Sequence, residues 1–349
     1  MTTDRTAQWR PAPGPVACIG ETMAALAPEP LAPLESAELL RLDVAGAESN
    51  VAMYLADHGV PVRWVSALGD DPFGRRVRGR IAARGVDTGG VRTDPDRPTG
   101  LLVKTPAADG TRVHYYRRGS AASALTPEVL HDAAVRTASV VHLTGITAAL
   151  SPSCRALVTE ALASATAERP YAVSFDVNHR PALWIDGSAP DVLHDLADRA
   201  DITFVGLDEA QALWGGLADA AAVRKLLPGP RILVVKDGGR AATAFTGDGP
   251  CTVPTRPAEV VEPVGAGDAF AAGFLCGVLR GHDTVRALRL GHLTAGSALR
   301  VSGDHGPLPS PDRIAELLEA TDEAWLTHPG APDASGATAT WRNLDTGRR

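Results

Sequence analysis

The stretch EPVGAGDAFAAGF, Glu262 to Phe274, sets three small residues and an aspartate in front of an apolar run. Phe270, Phe274, Leu275 and Val278 recur at helical spacing, and the pattern stops near Gly281. Gly265, Ala266 and Gly267 then fall at the first turn of a helix, with Asp268 beside them. Residues this small let backbone N–H groups approach a ligand, and unpaired N–H groups together with the helix dipole favour an anion. Read alone, the stretch is equally an ordinary strand-to-helix turn in which Asp268 complements the dipole. A dinucleotide fingerprint fits poorly, because Phe270 occupies its third glycine position. The common G-K-[ST] phosphate loop is absent, since none of Lys104, Lys225 and Lys236 follows a glycine.

Outward from this stretch, short apolar runs alternate with amphipathic segments. VACIG (16–20), VRWVSAL (62–68), ASVVHLTGI (138–146), YAVSFDV (171–177), DITFV (201–205) and RILVVKDGG (231–239) read as buried strands. ESNVAMYLADHG, RRVRGRIAARG, SCRALVTEALASA and VRKLL between them read as helices, several ended by glycine. That order implies an α/β fold with a largely parallel sheet covered on both faces. Segments 22–45 and 97–120 break the rhythm; in the second, TGLLVKT, an ADG turn and TRVHYYRR predict a hairpin. Strands inserted at two places can pair as a small lid beyond the carboxyl ends of the main sheet, where α/β proteins bind ligands. Residues 1–15 and 327–349, rich in small and turn-forming residues, read as poorly ordered tails around one unit, 16–326.

Composition excludes several classes. With 349 residues, 44% hydrophobic, the chain can bury a large core, and a net charge of -7 argues against nucleic acid or an anionic membrane as partner. No apolar run reaches membrane-spanning length, and MTTDRTAQWRPAPGP lacks the apolar core of a signal peptide. The four cysteines (Cys18, Cys154, Cys251, Cys276) form no C-x-x-C pair and lie near apolar stretches, which predicts buried thiols in a reducing cytoplasm. The ten histidines show no metal-ligand spacing.

GAGDAF resembles the C-terminal signature of the ribokinase-like (pfkB-type) sugar kinases. AGAESNVAMYLADHG, with GDDPFG downstream, is similar to that family's second hallmark. The resemblance runs from about Val16 to about Leu318 and implies a three-layer α/β/α sandwich with a small β-sheet lid. It makes Asp268 the general base that takes a proton from a sugar hydroxyl as that oxygen attacks the γ-phosphate of ATP, with the backbone of 265–268 stabilising the transferring group; such positioning and electrostatics suit phosphoryl transfer. CIGETMAAL, GAESN, HYYRRGSAAS, HLTGITAALSP, FDVNHRPALW and EPVGAGDAF together resemble the 2-keto-3-deoxygluconate kinases. Ribokinases and fructokinases usually lack the YYR-xx-SA and DVN-x-R-xx-LW strings.

The resemblance also assigns residues. A sugar acid carries a carboxylate, and an arginine's planar fork suits it; Arg117 and Arg180 match the family's substrate contacts, and spacing does not decide between them. Tyr115 alternates with Arg117 on one strand face. Gly46 and Asn50 match the first motif, a plain helix start being the alternative. Ile146 matches a contact made through its backbone, and Asp304 an acid near the sugar hydroxyls. Lys236, Gly238 and Gly239 match the nucleotide-side loop. The usual Asn-x-x-Glu for hydrated magnesium appears with Gly206 in the asparagine position and Glu209 in place. Glu262 stands where an aspartate is usual near a monovalent-cation loop, which leaves potassium open, and Leu102 replaces a tyrosine of some close relatives. The expected protein is a cytoplasmic kinase using ATP and magnesium on a sugar acid, as a homo-oligomer paired through its lids. The rivals are a kinase for fructose, ribose or 2-keto-3-deoxygalactonate, a catalytically silent sugar-acid sensor and, more distantly, an NAD dehydrogenase.

Overall fold

The computed structural model describes residues 9–30, 32–107, 110–163 and 169–327. The chain begins with β1 (Val16–Ile19), β2 (Met23–Pro28), β3 (Leu40–Ala45), α1 (Ala47–Asp57), β4 (Val62–Gly69), α2 (Pro72–Ala82) and β5 (Val91–Asp94). β6 (Leu101–Ala107), β7 (Gly110–Tyr116), α3 (Ala133–Arg136), β8 (Val140–Thr144), α4 (Gly145–Leu150), α5 (Pro152–Ala161) and β9 (Ala172–Asp176) follow. Next come α6 (Ala189–Arg199), β10 (Ile202–Gly206), α7 (Leu207–Trp214), α8 (Ala220–Leu226), β11 (Ile232–Asp237), β12 (Ala241–Thr246) and β13 (Gly249–Pro254). Helices α9 (Ala266–Leu279), α10 (Thr284–Leu299), α11 (Pro311–Leu318) and α12 (Asp322–Thr327) complete the described chain.

The large sheet has the order β13-β12-β11-β10-β9-β8-β1-β4-β5. From β11 to β4 every pairing is parallel, as the apolar runs imply, and β5, a strand the sequence did not announce, pairs parallel to β4. β12 and β13 add an antiparallel edge that the sequence did not announce. Along β1, Val16 and Cys18 pack into one apolar cluster and Ala17 and Ile19 into another, so helices cover both faces. The chain moves from β1 to β4 on one side and returns to β8 on the other. This reversal is the switch point beyond which α/β sheets place ligands.

Segments 22–45 and 97–120 pair as expected, in a second sheet of order β3-β2-β6-β7. Ala108 and Asp109 of the expected ADG turn lie outside the described residues.

Two expectations are corrected. Helix α9 is not amphipathic: Asp268 to Val278 are all buried, so it runs through the core rather than along it. Its neighbour α10 approaches so closely that a Cβ on Gly273 would stand 2.4 Å from the Leu290 carbonyl oxygen. The N-terminal tail does not extend to residue 15 as a loose end. The Arg231 guanidinium lies 5.1 Å from the Trp9 ring centroid, Arg10 donates to the His282 carbonyl, and Pro15 accepts from Ser139 N–H. Residues 1–8 and 328–349, the rest of the two expected tails, lie outside the described residues. Cys18, Cys154 and Cys276 are buried free thiols, and Cys251 is half-buried. No helix among the described residues is long and apolar enough to cross a membrane.

Candidate active site

Gly265 takes φ 84° and starts α9, a left-handed turn that a glycine adopts without cost. The turn presents the first N–H groups of a helix that leaves the site straight into the core. Asp268, in the first turn, is only 9% exposed. Its Oδ2 accepts from Asn50 Nδ2 at 2.9 Å and its Oδ1 from Asn178 Nδ2 at 3.2 Å. Burial pushes its pKa up to about 7; the charges of Asp176 and Asp304 add to the rise, while the Asn50 hydrogen bond and Arg180 oppose it. A carboxylate so poised suits proton transfer near neutral pH.

Every residue expected to touch the sugar lines one cavity of about 650 Å³: Gly46, Asn50, Tyr115, Arg117, Ile146, Arg180, Asp268 and Asp304. Asn50 does not cap α1; its side chain crosses to Asp268. A Cβ on Gly46 would stand 2.4 Å from the Glu21 carbonyl oxygen, so glycine is required there by close chain crossing. Tyr115 and Arg117 share a face, with the guanidinium 5.6 Å from the ring centroid. Ile146 sits in the first turn of α4, its N–H held by Thr144 Oγ1. Leu102, the departure from tyrosine, also lines this cavity.

The two arginines differ in a way spacing does not reveal. Arg117 is buried and its Nη2 lies 2.5 Å from Glu21 Oε2, while Ser120 donates to the other Glu21 oxygen. Its charge is therefore already answered. Arg180 is exposed; the hydrogen bond it makes is to the His179 carbonyl, and no carboxylate among the described residues lies within ion-pair distance of it. Sequence reasoning also missed Lys104, whose ammonium is 2.8 Å from Asp304 Oδ1, and Asn178, which holds Asp268 from a left-handed conformation at φ 37°. Asparagine tolerates that conformation better than most residues, and its place just after a strand end was the available signal.

A second cavity of about 910 Å³ lies beside the first and is lined by Lys236, Gly238, Gly239, Ala266 and Gly267. Gly265 lines the first cavity; Gly206, Asp208, Lys236, Pro263 and Gly267 line both. The Lys236 ammonium, in a 2.8 Å ion pair with Asp176, lies 3.4 Å from where a Cβ on Gly267 would stand. The helix start and a lysine thus face the junction of the two cavities, an arrangement that fits a polyphosphate.

Glu209 does not stand ready as a direct magnesium ligand. One of its oxygens accepts the His179 N–H and the other the Gly206 N–H at 3.1 Å, so it caps the start of its own helix α7 and ties it to the loop after β9. Burial, followed by the charge of Asp176, raises its pKa, with Lys236 opposing. Among the described residues no three His, Cys, Asp or Glu side chains gather into a metal site. Magnesium, which keeps several waters and takes few carboxylates, does not need such a cluster. The Asp176 Oδ1 is buried without a hydrogen-bond partner and Asp208 is exposed at the junction, so these two carboxylates fit the hydrated ion better than Glu209. Glu262, in place of the usual aspartate, accepts the Val264 N–H at 3.4 Å.

Comparison with known proteins agrees with this geometry. Residues 15–311 match the profile described as pfkB family carbohydrate kinase. A 2-dehydro-3-deoxygluconokinase from Thermoproteus tenax is 34% identical over 308 residues, covering 86% of this chain and 93% of its own length. A 2-dehydro-3-deoxygalactonokinase from Haloferax volcanii is 32% identical over 308 residues, covering 87% and 96%. The crystal structure of a PfkB protein from Polaromonas sp. JS666 superposes with a TM-score of 0.77 at 33% identity, covering 88% of this chain and all of that one. With its signature helix, its two adjoining cavities and a match over most of its length, the chain belongs to the pfkB family of carbohydrate kinases.

Proposed function

We propose that this kinase phosphorylates the 6-hydroxyl of 2-keto-3-deoxygluconate (2-dehydro-3-deoxygluconate) from ATP. The observation that carries the reading is a buried carboxylate, Asp268, at the junction of two cavities, with Arg180 exposed in one of them and beyond ion-pair distance of any carboxylate among the described residues. ATP, bound with magnesium in the larger cavity, supplies the phosphoryl group. Asp268, ionised, takes the proton of the acceptor hydroxyl while that oxygen forms its bond to phosphorus and the bond to the ADP oxygen breaks. The N–H groups at the start of α9 stabilise the charge on the transferring group, and Lys236 supports it from the nucleotide side. Asn50 and Asn178 hold the carboxylate, and each keeps a buried carbonyl oxygen without a partner, an acceptor for a sugar hydroxyl. Arg180 takes the substrate carboxylate. Arg117, paired with Glu21, orders the lid wall and offers its remaining N–H groups.

The Haloferax relative favours one second reading, the C4 epimer 2-keto-3-deoxygalactonate. The enzyme is read as cytoplasmic. It is also read as a homo-oligomer, with Leu40 and Tyr116 exposed on the two outer lid strands. ADP release with Mg-ATP across 2-keto-3-deoxygluconate, its galactonate epimer, fructose and ribose tests the proposal. Strong preference for the sugar acids supports it. Turnover of a neutral sugar alone discards the substrate, and no turnover from folded protein favours a silent sensor.

A further inference from the structure

Lys104 sits on lid strand β6, is 9% exposed and points its ammonium at Asp304 Oδ1, 2.8 Å away. Asp304 belongs to the body, on the loop after α10. Its Oδ2 lies 3.4 Å from Asn50 Nδ2, and the same nitrogen donates to Asp268 Oδ2 at 2.9 Å. One amide group therefore stands between two buried carboxylates. Like charges this close disfavour each other, more so away from water.

Among the described residues, the charged groups that act most on Asp268 come from the body. Asp176 on β9 is paired with Lys236 on β11, Arg180 follows β9, and Asp304 follows α10. The lid's other buried cation, Arg117, is taken by Glu21. Lys104 is the lid charge that reaches this chain. We propose that Lys104 is a positioning residue for the base: by holding Asp304 as a paired anion, it offsets the repulsion that Asp304 exerts on Asp268 across the Asn50 amide they share, and so sets the base when the lid is seated. The inference rests on the reading of Asp268 as general base and deepens it.

The test is single-turnover phosphoryl transfer as a function of pH, with saturating Mg-ATP and the acceptor the substrate panel selects. Lys104→Met leaves the Asp304 charge unanswered, so the acid limb of the rate moves to higher pH by about one unit, a loss of about tenfold at pH 6 that shrinks as the pH rises. Lys104→Arg keeps the charge and holds the limb in place. Asp304→Asn removes the repelling charge and moves the limb to lower pH. A change of lid packing alone alters KM without moving the limb. The proposal is overturned by a Lys104→Met limb that coincides with the parent, or by an arginine variant that shifts as far as methionine. If Lys104→Met does not fold, the Asp304→Asn limb decides: a shift to lower pH supports the chain, and no shift overturns it. Retained turnover in Asp268→Asn overturns the base reading itself. An inactive Asp268→Asn beside an unmoved Lys104→Met limb overturns the role of Lys104 alone.

Discussion

A buried carboxylate is set against its own surroundings, and Asp268 shows the balance residue by residue. Burial raises its pKa to about 7 while Asn50 and Arg180 restrain the rise. As the proposed base, Asp268 would act deprotonated, so kcat/KM is expected to fall about tenfold per unit as pH drops below about 7 and to level off above it; a kcat/KM profile flat between 5 and 8 contradicts this. Asp268→Asn is expected to lower kcat by about 10²–10⁴-fold while ATP affinity, measured by calorimetry, stays close to the parent's. Arg180→Ala should raise KM for sugar acids by roughly tenfold or more and leave neutral sugars nearly untouched, since a charged hydrogen bond contributes about 1.5–3 kcal/mol; equal effects on both remove the carboxylate argument. At this scale the motifs named residues that share one cavity but not their partners. Glu21 follows a strand and Lys104 stands alone on a lid strand, so neither has a spacing that announces it. Each acquires meaning only when the lid folds back onto the body. Glu209 shows the converse: a family position was recognisable, and one of its oxygens caps the start of its own helix at Gly206, while the N–H that occupies the other comes from His179, in the loop after β9.

Among the elements, the inner parallel strands were readable because burial on both faces makes each an unbroken apolar run bounded by turns, whereas the parallel edge strand β5, VRTD with two exposed residues, escaped. The antiparallel edge escaped because β12 and β13 are half-exposed and mixed in character, AATAFT and GPCTVP. Helix α9 was placed correctly and its surroundings were not, since periodicity reports a face and a helix buried all round has none. Its contact with α10 yields a sharp expectation. A side chain at Gly273 meets the Leu290 carbonyl and Thr294 Oγ1, both 2.4 Å from the new Cβ. Gly273→Ala should therefore destabilise the fold by about 1–3 kcal/mol in urea unfolding, whatever it gains in helix propensity. An unchanged midpoint would mean that the two helices can separate without loss.

For the molecule as a whole, the lid and body enclose the cavity proposed for the sugar together, with Met23, Leu102 and Val113 on one side and Asn178, Arg180 and Asp268 on the other. A ligand that bridges them stabilises the folded form by mass action. A sugar acid at a hundred times its Kd should add about 2.7 kcal/mol to unfolding, seen as a raised Tm, and ribose at the same concentration should add little. The burial of α9 has a longer reach. With Asp268 as the proposed base, a carboxylate fixed to a helix with no solvent face would not shift to meet a differently placed hydroxyl, so the choice of acceptor would be left to the lid strands and the loops after the sheet. Diversity can accumulate in those outer parts while the reacting end stays the same. Libraries confined to residues such as Leu102, Tyr115 and Arg180 should then yield new sugar preferences with the fold's stability intact, whereas mutations along α9 should yield mostly protein that fails to fold.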